Sequence, residues 1–201
     1  MTKHNTAIQS VLAEPDQLRV NLYRLLARLL AAPIDSATRA TLQSLVGDDT
    51  TLGQAVARLA QLAGDVSPKE CAEEFHELFV GVGRGELLPY SSYYLTGFLN
   101  EKPLARLRRD MAGFQIARSA QSKEPEDHIA ALMDMMTGLI DGSFGDPQPI
   151  SAQKEFFDRH VGKWAPHFFS DLERAKSARF YKPVGTIGRL FMDIEMAAFD
   201  M

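Results

Sequence analysis

The sequence predicts an all-α fold, a single-domain bundle of about eight to ten helices, and three observations carry that expectation. Apolar residues recur at three- and four-residue intervals in one segment after another between Leu18 and Phe199, the spacing that gathers them on one face of a helix. No segment sustains the strict apolar–polar alternation of a half-buried strand. Helix punctuation falls where the periodic segments begin and end, as at Pro33 and Ser67-Pro68.

Taken in order, Leu18, Leu22, Leu25, Leu26 and Leu29 form an apolar stripe along a first helix that Pro33 closes. Two shorter amphipathic segments follow, around Ser36–Val46 and Leu52–Ala63. Ser67 then caps a stronger helix with Pro68 at its first position and Cys71, Phe75, Leu78 and Phe79 on its inner side. Gly81–Ser92, with three glycines and a proline, reads as a long connection, a type of segment that often carries function. Helices resume around Pro103–Ala117 and Pro125–Ile140, and a second glycine- and proline-rich loop covers Asp141–Pro149. The last helices are expected around Ala152–Gly162, Trp164–Ala178 and Val184–Phe199. One domain over residues 1–201 is the simplest organisation, with about the first 14 residues expected to be flexible.

Composition narrows the classes. A chain of 201 residues with 45% hydrophobic and 24% charged residues can build a core without staples. Its net charge of −4 argues against nucleic acid and anionic membrane surfaces as partners. A single cysteine, Cys71, excludes an intrachain disulfide and any Cys-x-x-Cys metal or redox motif. The polar N-terminus and the absence of a long apolar run point to a cytoplasmic protein.

Several constellations suggest chemistry and then fail their own requirements. Glu73-x-x-His76 has the spacing of a di-iron bundle motif, but the second copy is missing, since Pro125, Phe157 and Trp164 stand where the partner acids of His128, His160 and His167 would be. Gly81-x-Gly83-x-Gly85 follows a predicted helix rather than a strand and does not end in Gly-Lys-Ser/Thr, so neither dinucleotide nor Walker chemistry is expected. Cys71 on an inner helix face reads as an inert core thiol. No cofactor is expected. Tyr90, Tyr93 and Tyr94 beside Pro89 either line a groove or anchor the next helix.

The stretch Lys123–Met136 is the most informative. With Pro125 at the first helical position, Glu124 is the cap, and Glu124, Asp127 and His128 share one side of the first turn. Met135 lies two turns beyond His128 on the same side. Spacing alone leaves two readings open: a corner that grips a basic and apolar peptide, or an ordinary helix start whose acids suit the dipole.

Glu124-Pro125-x-Asp127-His128 ahead of an apolar helix resembles the signature of the TorD/DmsD/NarJ family of molybdoenzyme maturation chaperones. Tyr23-x-Leu-Leu-Ala, Phe75-x-x-Leu-Phe-Val-Gly81, Pro89-Tyr90-x-Ser92, Trp164 and Phe180-Tyr181 resemble further family segments in the same order, across about residues 18 to 192. The resemblance implies a TorD-like helical, cytoplasmic protein without enzymatic activity, monomeric or a domain-swapped dimer. It implies binding of the N-terminal leader of a molybdenum-cofactor oxidoreductase, often a twin-arginine signal, until the cofactor is inserted. Carried over, the leader contacts are Glu124, Pro125, Asp127 and His128, with Pro89, Tyr90 and Ser92 from the loop and Tyr23 from the first helix. The run from Tyr93 to Pro103 looks closer to members that accompany formate dehydrogenases than to those serving trimethylamine oxide or dimethyl sulfoxide reductases. The competing expectation from a different class is a small helical hydrolase using Asp127 and His128 as an acid–base pair.

Overall fold

The computed structural model describes residues 12–117 and 124–201, so Lys123 and most of the N-terminal segment expected to be flexible lie outside the described residues. Ten α-helices follow one another there: α1 (Glu14–Ala31), α2 (Ser36–Gln43), α3 (Thr51–Asp65), α4 (Pro68–Phe75), α5 (Ser91–Thr96), α6 (Lys102–Gly113), α7 (Ile129–Asp141), α8 (Ile150–His160), α9 (Ala165–Arg174) and α10 (Tyr181–Phe199). Among the described residues the one strand-like pairing outside named strands is an isolated antiparallel bridge, Tyr90 to His128.

α7 is the centre of the bundle because its sequence leaves it no alternative. Ten of its residues, from Ile129 to Ile140, are buried, and a helix apolar round most of its circumference must be covered on most sides, with Asp134 on the part left exposed. α1 packs along it, α8 lies against its far end, and α10 lies against α9 and α3. The α9–α10 crossing is close because α10 carries glycine at the contact. A Cβ on Gly188 would sit 2.1 Å from Phe169 Cδ1, and one on Gly185 2.5 Å from the Glu173 amide nitrogen.

Local signals set most helix starts. Asp35 accepts from the Thr38 amide at the head of α2, and Thr50 from the Gly53 amide at the head of α3. Ser67 and Glu70 form a reciprocal capping box on α4, with Glu70 accepting from the Ser67 amide at 2.7 Å. α4 runs on into one wider π-turn, His76–Val80, closed by Gly81 at φ 62°. Gly85 is required for another reason: a Cβ there would meet the Phe79 carbonyl carbon at 2.5 Å.

Four departures from the sequence reading matter. The α1 stripe is too wide for one contact: Val20, Tyr23, Leu26, Ala27, Leu29 and Leu30 are buried, while Leu18 is 59% exposed and Leu22 and Leu25 are half-buried. α5 begins inside the expected Gly81–Ser92 connection and ahead of Pro103, where helices were expected to resume. α6 stops at Gly113, short of Ala117, where Gln115 adopts φ 58°. α7 starts four residues later than Pro125, at Ile129.

Candidate functional site

The two motifs around Pro89 and Asp127, far apart in sequence, are bound into one unit. The Ile129 amide donates to the Pro89 carbonyl at 2.8 Å and the Ser91 amide to the Asp127 carbonyl at 3.0 Å, on either side of the Tyr90–His128 bridge. Asp127 is fully buried, and its carboxylate accepts from the Ser92 amide at 2.8 Å and the Ser91 hydroxyl at 3.3 Å. The first residues of α5 receive no side-chain cap from Tyr90, so Asp127 satisfies that helix end from across the chain.

This pairing explains why the expected helix start at Pro125 is wrong. The bridge holds His128 extended (φ −66°, ψ 139°), and the His128 amide donates back to the Pro125 carbonyl at 3.1 Å. A turn pinned this way cannot be the first turn of a helix. His128 is instead the cap of α7, with Nδ1 accepting from the Ala130 amide at 3.2 Å. Glu124 is exposed, and it accepts from the Tyr90 hydroxyl. The Tyr90 ring meets the His128 ring edge-on at 5.1 Å. Glu124, Asp127 and His128 therefore do not share a helix face.

What Glu124, His128 and Met135 do share is a cavity of about 520 Å³. One wall is the second half of α1, with Arg24, Ala27, Arg28 and Ala31. The facing wall is the head of α7, with Ala130, Ala131, Asp134 and Met135, and Met111, Ile116 and Phe144 close its ends. The lining is mostly apolar, but three carboxylates, Glu124, Glu126 and Asp134, face it. Both arginines are held by acids: Arg24 by Asp141 at 2.6 Å and Arg28 by Asp35 at 3.0 Å. Arg108 holds Glu126 at 2.8 Å.

Two groups here have displaced proton affinities. Burial pushes His128 down to about 4, against the pull of Glu124 and Asp127, so the ring is neutral at physiological pH. With Nδ1 accepting from Ala130, the neutral ring carries its proton on Nε2. Asp134 is pushed up, first by desolvation and then by Asp141, with Arg24 opposing. Asp134 is nevertheless exposed at the rim of the cavity, where its carboxylate is open to a guanidinium or ammonium group.

The other expected contacts are placed elsewhere. Tyr23 is fully buried, and its hydroxyl donates to Glu195 at 2.8 Å. Arg19 clasps the same carboxylate through Nε at 2.7 Å and Nη2 at 2.9 Å, so Tyr23 is a core residue. Pro89 and Ser92 are buried and Pro125 is half-buried, and none of the three lines the cavity. Tyr94 stacks on Trp164 and Phe168 and reaches Asp171, which settles it as a core anchor, while Tyr93 lies under Arg84 at 5.2 Å. The hydrolase alternative loses its pair, because the Asp127 carboxylate bonds α5 and His128 Nδ1 caps α7. Glu73 and His76 are exposed, and no group of three or more metal-ligating side chains is found among the described residues. No described helix is long and apolar enough to cross a membrane.

Asp134, Glu126, Arg24 and Arg28 were not anticipated. Asp134 could have been: it is the only charged residue on α7 before its final position, and a charge kept on an otherwise apolar helix calls for an explanation.

Comparison with known proteins defines the class. Residues 46–170 match the family described as nitrate reductase delta subunit. The chaperone protein TorD of Aliivibrio salmonicida is 30% identical over 135 residues, 63% of this chain and 63% of that protein. TorD of Aliivibrio fischeri is 26% identical over 202 residues, 90% of this chain and 94% of that one. The same fold is found in the crystal structure of an Archaeoglobus fulgidus protein assigned to redox enzyme maturation, with a TM-score of 0.60, 18% identity, and coverage of 95% of this chain and 99% of that one. The two Aliivibrio relatives are named as chaperones and not as enzymes. The chain belongs to the nitrate reductase delta subunit family, the family of TorD- and NarJ-type chaperones that bind molybdoenzyme catalytic subunits.

Proposed function

We propose that the cavity between α1 and the head of α7 receives the N-terminal leader of a molybdenum-cofactor oxidoreductase in the cytoplasm, and that the chaperone holds the apoenzyme through it until the cofactor is inserted. The observation that carries this reading is the joining of Glu124, His128 and Met135 in one cavity with the exposed carboxylate of Asp134. A leader that is basic and then apolar matches both halves of that lining. Carboxylates accept guanidinium donors in pairs, and methionine repacks around varied apolar sequences. The contact set becomes Glu124, His128, Asp134 and Met135, with Pro89, Tyr90, Ser92, Pro125 and Asp127 shaping the wall.

The formate dehydrogenase client rests on the run from Tyr93 to Pro103 alone, and relatives that bear the TorD name give it no support. Calorimetric titration with N-terminal peptides of formate dehydrogenases and of trimethylamine oxide reductases decides between clients. In the same assay Asp134→Asn and Glu124→Gln are each expected to weaken the bound peptide about five- to tenfold. If no molybdoenzyme leader binds, or if neither substitution weakens one that does, the assignment falls.

A further inference from the structure

On the other side of α1 lies a second groove, of about 710 Å³. Its α1 wall is Leu18, which is exposed, with Leu22 and Leu25, which are half-buried at the edge of the core. The opposite wall comes from α2, α3 and the turn between them, including Leu45, Val46 and Val56. Leu18 is 59% and Val46 91% exposed, a display of apolar surface that soluble proteins keep for a ligand or partner.

We propose that this groove seats the apolar segment of the same leader whose basic part enters the first cavity. The inference rests on the leader reading above. Continuity supports it: Arg24 and Arg28 line both cavities, so the two meet over the back of α1. Both arginines are already held by Asp141 and Asp35, so the ridge does not repel a basic peptide crossing it. Charge divides the peptide between the two sites. Three carboxylates line the first cavity, Glu126 paired with Arg108 and Glu124 accepting from Tyr90, whereas one lines the groove, Asp48, which accepts from the Thr50 amide and hydroxyl. The distance is suitable as well. A helix is about 10 Å across, which about three extended residues span, so one leader can fill both sites without a long linker.

The test uses two synthetic peptides, one with two arginines followed by about ten leucine and alanine residues, the other ending after the basic part. They are titrated by fluorescence anisotropy into the full chain and into Leu18→Glu/Val46→Glu. Both positions are already exposed, and an unchanged thermal melt confirms that the variant folds. The longer peptide is expected to bind the wild type more tightly, and the variant to weaken it about tenfold while the shorter peptide changes less than about twofold. If the shorter peptide binds and the longer gains nothing, or if the variant weakens both equally or neither, this proposal is overturned and the leader reading stands. If neither peptide binds the wild type, both fall. Light scattering covers the remaining occupant: a dimer that the variant turns into a monomer makes the groove an interface between copies and overturns the proposal.

Discussion

Lowering the pH tests the site through its buried histidine. His128 is 8% exposed and caps α7, and burial holds it near 4 against 6.5 in an open chain. A histidine with a depressed folded value contributes nothing above its unfolded value, and stability is lost as pH falls below 6.5, until the folded value is passed. At about pH 5 the unfolded chain holds nearly a full proton on this ring and the folded chain about a tenth of one. Integrated from about pH 7.5, the difference amounts to about 2 kcal/mol, roughly thirtyfold in the folding equilibrium. The control is His128→Asn, which keeps a capping acceptor but does not titrate. Urea unfolding across that range is expected to show the wild type losing about 2 kcal/mol more than the variant, with equal denaturant slopes. Other titrating groups, His160 among them, are common to both proteins and cancel. Parallel pH profiles would refute the placement of His128 as a buried neutral cap.

Asp134→Asn is expected to weaken a basic leader in titration while leaving the melting temperature near neutral pH unchanged or slightly raised, because the side chain is exposed and its proton affinity is pushed up by partial desolvation. Tyr23→Phe removes the hydroxyl from a buried carboxylate that Arg19 also holds, and should lower stability by about 1–2 kcal/mol in chemical denaturation without changing leader affinity. Asp127→Ala leaves the head of α5 uncapped and should cost about 1–3 kcal/mol, with faster hydrogen exchange at the Ser92 amide as the local signature. Gly188→Ala puts a methyl group where Phe169 already lies, and about 1–3 kcal/mol should be lost on overpacking.

The helices that could be read from the sequence are those whose instructions are local. Ser67, Pro68 and Glu70 sit within four residues of one another and fix the start of α4 unaided. Other helix starts take their instructions from a distance. α5 is capped by Asp127, and the head of α10 by Glu74 of α4, which accepts from the Arg179, Phe180 and Tyr181 amides at 2.7, 3.0 and 2.8 Å. Glu86 likewise accepts from the Lys176 and Ser177 amides. No window of sequence reveals a cap supplied from tens of residues away, so the start of α5 fell inside the expected connection and the α7 start was set by the wrong proline. The α1 stripe misled differently: periodicity marks an apolar face but does not say whether core or ligand covers it.

The same distinction divides the signature itself. Asp127, Pro89 and Ser92 are buried and hold the wall together, whereas Glu124 and His128 line the cavity with Met135. A motif defined by residue order mixes both kinds, and loss of binding alone cannot separate them. Stability can. A substitution that removes a wall residue lowers melting temperature and leader affinity together, because the cavity's shape depends on the bridge between Tyr90 and His128. Removing a proposed contact such as Asp134 is expected to lower leader affinity without lowering the melting temperature, since that exposed carboxylate is not part of the packing that holds the bundle. Should the two kinds of variant separate in this way, the acid on this otherwise apolar helix is there for what enters the cavity and not for what holds the bundle together.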